Sequence, residues 1–267
     1  TGWNSFSRVD VISSSGLHQA PGLSLTYGQA LPHQTALTVD GDNLTSLTAS
    51  APEEAVFTQF LPTAVPFQLL SRPRVLVVEP GGGLDLLTAL HHGAGQVTAL
   101  VGNPLEADLL SGQFASQAGN VYGDPRVKVV VGNPRAYLSR EEDRFDLVVV
   151  SLRDAFRPVT AGAYSLSEDH LYSKDAFRAY LRHLAPGGLL MATRWLQTPP
   201  SEELRMTATV VEALDELGVD SLDQRLAALR TLQTFTVLAK KEPFSPGELQ
   251  EIRVFAESRQ MDLAYLP

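Results

Sequence analysis

The chain has 267 residues, 44% of them hydrophobic and 19% charged, with 21 Lys plus Arg against 30 Asp plus Glu for a formal net charge of −9. This length accommodates one large domain or one with a small addition. The acidic balance, with no clustered lysines beyond Lys240-Lys241, argues against a nucleic-acid partner. The absence of cysteine excludes disulfides, thiolate catalysis and Cys-ligated metals. No apolar run reaches the ~20 residues that cross a bilayer. Thr1 in place of methionine marks a processed chain or a piece of a longer one.

Residues 1–62 are rich in Ser, Thr and Gly. Short β-prone runs at 6–12, 23–27, 36–39 and 44–48 alternate with turn signals, Pro21-Gly22 and Asp40-Gly41-Asp42-Asn43 among them. This pattern predicts a small antiparallel β unit over 1–62, ahead of a second domain over 63–267.

From Arg74 the rhythm becomes strand, helix, strand. The Val-rich run 74–79 reads as a parallel strand buried on both faces. Gly81-Gly82-Gly83 and a helix over 84–92 follow. Next come a strand at 97–101, a helix over 105–118, and strands at 127–131 and 146–150. A helix over 175–184 is closed by Pro186-Gly187-Gly188. A strand at 189–195 and a helix over 202–217 capped by Ser201 come next. The last elements are a strand at 235–239 and a helix over 245–258. The run 226–230 fits either a strand or a helical turn. Alternating elements with short links predict an α/β fold, a doubly wound Rossmann-like sheet of about seven strands. Its ligands lie at the carboxyl ends of the strands.

The candidate site residues follow from that placement. Glu79-Pro80-Gly81-Gly82-Gly83 joins the first parallel strand to its helix, where glycines let a ligand approach the backbone. The same run would also serve as a plain tight turn. Gly102-Asn103-Pro104 and Gly132-Asn133-Pro134 end the next two strands. Asn103 and Asn133 are either ligand contacts or helix N-caps. The fourth strand runs into Ser151-Leu152-Arg153-Asp154, where Asp154 is a candidate base or amine anchor. Equally, Asp154 could serve only to pair with a neighbouring arginine. Residues 155–167 lack periodicity and have the size of a substrate lid. The histidines show no metal-ligand spacing, and no serine has a nucleophile-elbow context.

These segments, RVLVVEPGGGLDLLTAL, VTALVGNP, RVKVVVGNPRAYL, RFDLVVVSLRD and LYSKDAFRAYLRHLAPGGLL, resemble the spermidine synthase (polyamine aminopropyltransferase) family. WNSFSRVDV and TRWLQTPPSEELR are similar to a subgroup of spermidine synthase-like domains often attached to membrane-spanning regions. The resemblance implies an S-adenosylmethionine-transferase-type fold and no covalent cofactor. It implies S-adenosylmethionine or its decarboxylated form as co-substrate, and an aminopropyl group transferred to an amine such as putrescine. It also implies a homodimer, and a cytoplasmic location, whether free or as the cytoplasmic part of a membrane protein.

The family's motif places nucleoside binding on Glu79, Gly81, Gly83, Asn103 and Asn133. It places substrate binding on Gln59, Ser151 and Asp154, with Asp154 catalytic. Several family acids are replaced. The ribose-binding acid falls on Val101 and the acid after it on Asn103. The adenine-binding Asp falls on Asn133, and the first Asp of the DxxD motif falls on Ser151. Three readings stay open: an altered aminopropyltransferase, a methyltransferase on the shared fold, and a degenerate nucleoside-binding or structural domain.

Overall fold

The computed structural model describes residues 1–14, 16–140, 142–154 and 170–267. The amino-terminal sheet holds β1 (Gly2–Trp3), β2 (Arg8–Ser13), β3 (Gln34–Val39) and β4 (Asp42–Thr48), antiparallel and in that order. Asp40 and Gly41, both at positive φ (56° and 75°), form the two-residue turn between β3 and β4. That backbone twist matches the twist of paired strands. The expected strand at 23–27 is instead a turn. The Leu23 N–H donates to Ala20 O, and the Ser24 hydroxyl bonds Thr26 and the Arg259 carbonyl. Serine and threonine side chains that bond local groups in this way compete with a strand ladder.

The second sheet contains β5 (Arg74–Val78), β6 (Gln96–Val101), β7 (Val127–Val131), β8 (Phe145–Val150), β9 (Leu184–Trp195), β10 (Leu226–Arg230), β11 (Thr234–Lys240) and β12 (Asp262–Tyr265). Its order is β12-β10-β11-β9-β8-β5-β6-β7. β5 to β9 run parallel, and β11, β10 and β12 join by antiparallel pairing. Among the described residues the sheet thus has eight strands, the eighth being the carboxy-terminal β12. The run 226–230, ambiguous by pattern, is a strand paired with β11 and β12. The chain steps outward from β5 to β7 and then returns to β8 on the other side of β5. That reversal opens the crevice in which ligands of such sheets bind.

The intervening helices are α1 (Pro66–Leu69), α2 (Leu84–His91), α3 (Pro104–Ser111), α4 (Pro134–Arg140), α5 (Lys174–Arg182), α6 (Glu202–Glu216) and α7 (Pro246–Ser258). α3 stops at Gly112 instead of running to residue 118. β9 begins at Leu184, so Pro186-Gly187-Gly188 lies within it. Ser201 precedes α6 without capping it through its side chain. Its hydroxyl donates to Gln197 Oε1, which also accepts the Glu202 N–H. α7 starts with a capping box between Ser245 and Glu248. Among the described residues no helix is long and apolar enough to cross a membrane.

Strand alternation sorts the core into two faces. Val75, Val77, Val97, Ala99, Val101, Leu147 and Val149 pack with α2, α3, α7 and the amino-terminal sheet. Leu76, Val78, Leu100, Val148 and Val150 pack with α4, α5 and α6. Side chains two apart share a face, so a strand buried on both faces must be apolar at every position.

The amino-terminal sheet sits directly on the glycine turn after β5. A Cβ on Gly82 would lie 2.2 Å from the Ser46 carbonyl oxygen and 2.7 Å from its carbon. That obstacle is backbone in β4 and cannot rotate away. Gly82→Ala is therefore expected to destabilise the protein by at least ~2 kcal/mol, at the upper end of overpacking costs. Thermal unfolding checks this, and an unchanged midpoint would show that β4 does not hold the turn.

Candidate functional site at the strand tips

The turn after β5 alternates left-handed residues, with φ of 55° at Glu79, 52° at Gly81 and 89° at Gly83. Glu79 is buried at the tip of the central strand. Its Oε1 accepts the Gly102 N–H at 3.0 Å, and its Oε2 pairs with Arg153 Nη1 at 2.8 Å. Arg153 Nη2 also lies 3.7 Å from Oε2 of Glu106, in the first turn of α3. That Glu106 oxygen is buried and makes no hydrogen bond. Burial pushes the Glu106 carboxyl up to about 6, Arg153 opposes the rise, and Glu79 adds to it. Tyr122 donates its hydroxyl to the Gly81 carbonyl at 2.5 Å, and burial drives that phenol well above its usual range. It is a neutral donor.

The two asparagines cap helices. Asn103 Oδ1 accepts the Leu105 N–H at 3.1 Å and an amide hydrogen of Asn4 at 2.8 Å, and its own amide donates to Ser7 Oγ at 3.0 Å. It is buried under the amino-terminal segment. Asn133, exposed, accepts the Arg135 and Ala136 N–H groups at the start of α4. Gln59 Nε2 lies 3.0 Å from His91 Nε2 at the far end of α2, and the Gln59 carbonyl accepts from Arg259. None of these three reaches the cavity at the strand ends.

That cavity, of about 50 Å³, lies between β4 and the tips of β5, β8 and β9. Gly82, Asp85, Ser151, Asp154 and Trp195 line it, with Thr45 and Ser46 opposite. Gly81 and Gly83 do not; they back onto Thr45 and onto Val121 with Tyr122. Asp154 Oδ2 pairs with Arg194 Nη1 at 2.7 Å, and the Asp154 carbonyl accepts the Trp195 indole N–H at 2.5 Å. Arg194 also bonds Glu202 at 2.9 Å and lies 4.2 Å over the Tyr172 ring. Burial works against its charge, but Tyr172, Asp154 and Glu202 outweigh burial and keep it protonated. Asp154 is thus held by a fixed cation. The expected lid at 155–167 lies outside the described residues.

Asp85 escaped the sequence reading. It stands in the first turn of α2, two residues past the glycine run. Its signal was an acid following a ligand-type turn, which also fits a helix-dipole residue.

The comparisons with known proteins bear on this geometry. No family model matches the chain. A polyamine aminopropyltransferase of Korarchaeum cryptofilum is 23% identical over 139 residues, 52% of this chain and 40% of its own. Polyamine aminopropyltransferase 1 of Pseudomonas aeruginosa is 25% identical over 142 residues, 53% of this chain and 46% of its own. The matched part spans less than half the length of either relative. The solved structure of a spermidine synthase in complex with the transition-state analogue AdoDATO superposes with a TM-score of 0.60 at 15% identity, covering 99% of this chain and 78% of its own. That likeness is one of fold.

The Glu106 carboxyl yields a test of the buried cluster. Its folded value near 6 stands above an ordinary 4.5. The native state therefore holds the proton longer than the unfolded chain. Stability falls as pH rises from about 4.5 through about 6, and the loss of ~2 kcal/mol is complete above that range. Glu106→Gln is expected to stabilise the protein by ~1–2 kcal/mol at pH 8 and by little at pH 4.5. Denaturant titration at both pH values checks this, and an equal effect at the two would contradict it.

Proposed function

We propose that this spermidine synthase-like chain binds an S-adenosylmethionine-type nucleoside across the tips of β5 and β6. In this reading Glu79 is the ribose-facing carboxylate, and spermidine formation is weak or absent. One observation carries the proposal. The Glu79 carboxylate lies 3.0 Å from the Gly102 N–H, one residue past Val101, the position where the related family has its ribose acid. Val101 itself is fully buried in the apolar core. A carboxylate therefore stands at the β6 tip although it is supplied by β5.

Glu79 holds that place at a cost. A side chain at φ 55° is strained by ~1–2 kcal/mol. Ribose hydroxyls donating to a carboxylate contribute ~1.5–3 kcal/mol each. A nucleoside would have to compete with Arg153 for Oε2, so part of that gain goes to displacing the arginine.

Aminopropyl transfer joins a neutral amine to the carbon beside a sulfonium and needs a proton acceptor. Ser151 has no useful basicity, and Asp154 is already paired with Arg194. Lack of a general base typically costs about 100- to 10,000-fold in rate. A second reading, a non-catalytic domain, is favoured by the groups already satisfied within the protein: Asn103 by Asn4 and Ser7, and the Gly81 carbonyl by Tyr122.

Calorimetric titration of 5′-methylthioadenosine into the parent and Glu79→Gln is the test. The parent is expected to bind, and the variant at least about tenfold more weakly, the value of one charge-assisted bond. Equal affinity would remove Glu79 from the site. No binding by the folded parent would favour the non-catalytic reading. Robust spermidine formation from decarboxylated S-adenosylmethionine and putrescine would overturn the argument from the missing base.

A further inference from the structure

Arg153 stands between two buried acids at unequal distances. Its Nη1 pairs with Glu79 Oε2 at 2.8 Å, while its Nη2 stops 3.7 Å from Glu106 Oε2. The side chains of the two acids are 6% and 2% exposed. A separation of 3.7 Å is beyond hydrogen-bond reach, and Glu106 Oε2 has no hydrogen-bond partner among the described residues. Buried acceptors are nearly always partnered. Glu106 cannot close the gap itself. It stands in the first turn of α3, whose start is fixed by Pro104 and by Asn103, and Asn103 is bonded in turn to Asn4 and Ser7. The guanidinium is the mobile member, with donors on a fork at the end of a long side chain.

We propose that Glu106 is a positioning residue, the second berth of Arg153: when a nucleoside takes Glu79 Oε2, the guanidinium shifts onto Glu106 Oε2 instead of leaving the cluster. This rests on the nucleoside reading for what displaces Arg153, and not for the berth itself. The movement needed is about one ångström, which brings a 3.7 Å contact into the range of a charge-assisted hydrogen bond. The exchange keeps the cation in place. Ribose hydroxyls satisfy Glu79, Arg153 satisfies Glu106, and neither acid is left buried alone. Among the described residues the ionisable groups that face Glu106 are Arg153 from the segment after β8, Glu79 from the turn after β5 and Tyr122 from the turn after α3. Tyr122 is neutral and already donates to the Gly81 carbonyl, so the charge on Glu106 is answered by Arg153. Without ligand, burial raises the Glu106 carboxyl to about 6, with Arg153 opposing the rise. Full pairing with Arg153 lowers it, so binding expels the proton and affinity rises as pH rises through about 6.

The berth is tested without ligand in Glu79→Gln, where Arg153 has lost the nearer charge. A crystal structure of this variant is expected to show an Arg153 nitrogen within hydrogen-bond distance of Glu106 Oε2. The loss of stability between pH 4.5 and 6 is expected to disappear with it, because a paired Glu106 no longer holds its proton above the ordinary value. An Arg153 that stays 3.7 Å away, or turns to solvent, overturns the proposal. The coupling is tested by calorimetry of 5′-methylthioadenosine at pH 5 and pH 7.5 with the parent and Glu106→Gln. The parent is expected to bind about eightfold more weakly at pH 5, for a carboxyl at about 6 when free and at the ordinary 4.5 when paired, and to release protons into the buffer. Glu106→Gln retains Glu79 and Arg153. It is expected to lose most of that pH dependence and to bind more weakly than the parent at pH 7.5, although it is the more stable protein there. A Glu106 that served stability alone would leave the pH profile of binding as in the parent, and that result, or pH-independent binding by the parent, overturns the proposal. If the folded parent binds no 5′-methylthioadenosine while Arg153 has moved in Glu79→Gln, the nucleoside reading falls and the second berth stands.

Discussion

The tip of β5 depends on one partly buried ion pair. A carboxylate enclosed without partners costs several kcal/mol, so Glu79 at the end of the central strand must be matched. Its two oxygens take the Gly102 N–H and the Arg153 guanidinium. The first contact fixes the β6 tip against the β5 turn, and the second draws the segment leaving β8 across the switch point. Arg153 reaches on toward Glu106, which places the start of α3 in the same cluster. Three strand exits and one helix are therefore positioned by a single carboxylate.

The amino-terminal sheet closes the other side. Its backbone at Ser46 approaches Gly82 so closely that no side chain fits between them. The chain reaches in again through Asn4 and Ser7, which take up Asn103. The cavity at the strand ends adjoins the contact of Ser46 with Gly82. It is bounded by backbone in β4, by the glycine turn, and by Trp195, whose indole is pinned to the Asp154 carbonyl. A buried polar group left without a partner is costly, and the Ser151 hydroxyl remains there.

The parallel strands were legible because burial on both faces leaves no polar positions: Val75–Val78 and Val148–Val150 announce themselves. The candidate site was legible only as position along a strand, since Glu79, Ser151 and Asp154 stand at the strand ends. Partners supplied by distant segments were not legible. Asn103 meets Asn4 across 99 residues, and Glu79 meets Arg153 across 74. Periodicity reports which face is buried; it does not report which side chain arrives there. The run at 23–27 failed for a related reason. Its composition suits a strand, but the local bonds of Ser24 with Thr26 favour a turn. Asp85 was overlooked because an acid in the first turn of a helix has an ordinary explanation in the helix dipole.

Counting acids position by position against the related family overstates what the site has lost. Val101, Asn103, Asn133 and Ser151 stand where the resemblance puts carboxylates, yet among the described residues four acids occur around the same strand ends: Glu79, Asp85, Glu106 and Asp154. Two arginines answer them. Arg153 lies between Glu79 and Glu106, and Arg194 holds Asp154. The charge has been redistributed into one cluster compensated by Arg153 and one with Asp85 in surplus. Glu106 is held against its own burial, Glu79 sits at a strained φ, and a buried hydroxyl goes unbonded. Apolar residues at these points would make a more stable protein. Costs of this kind concentrate at functional sites, and here they lie along one crevice, at the carboxyl ends of the parallel strands.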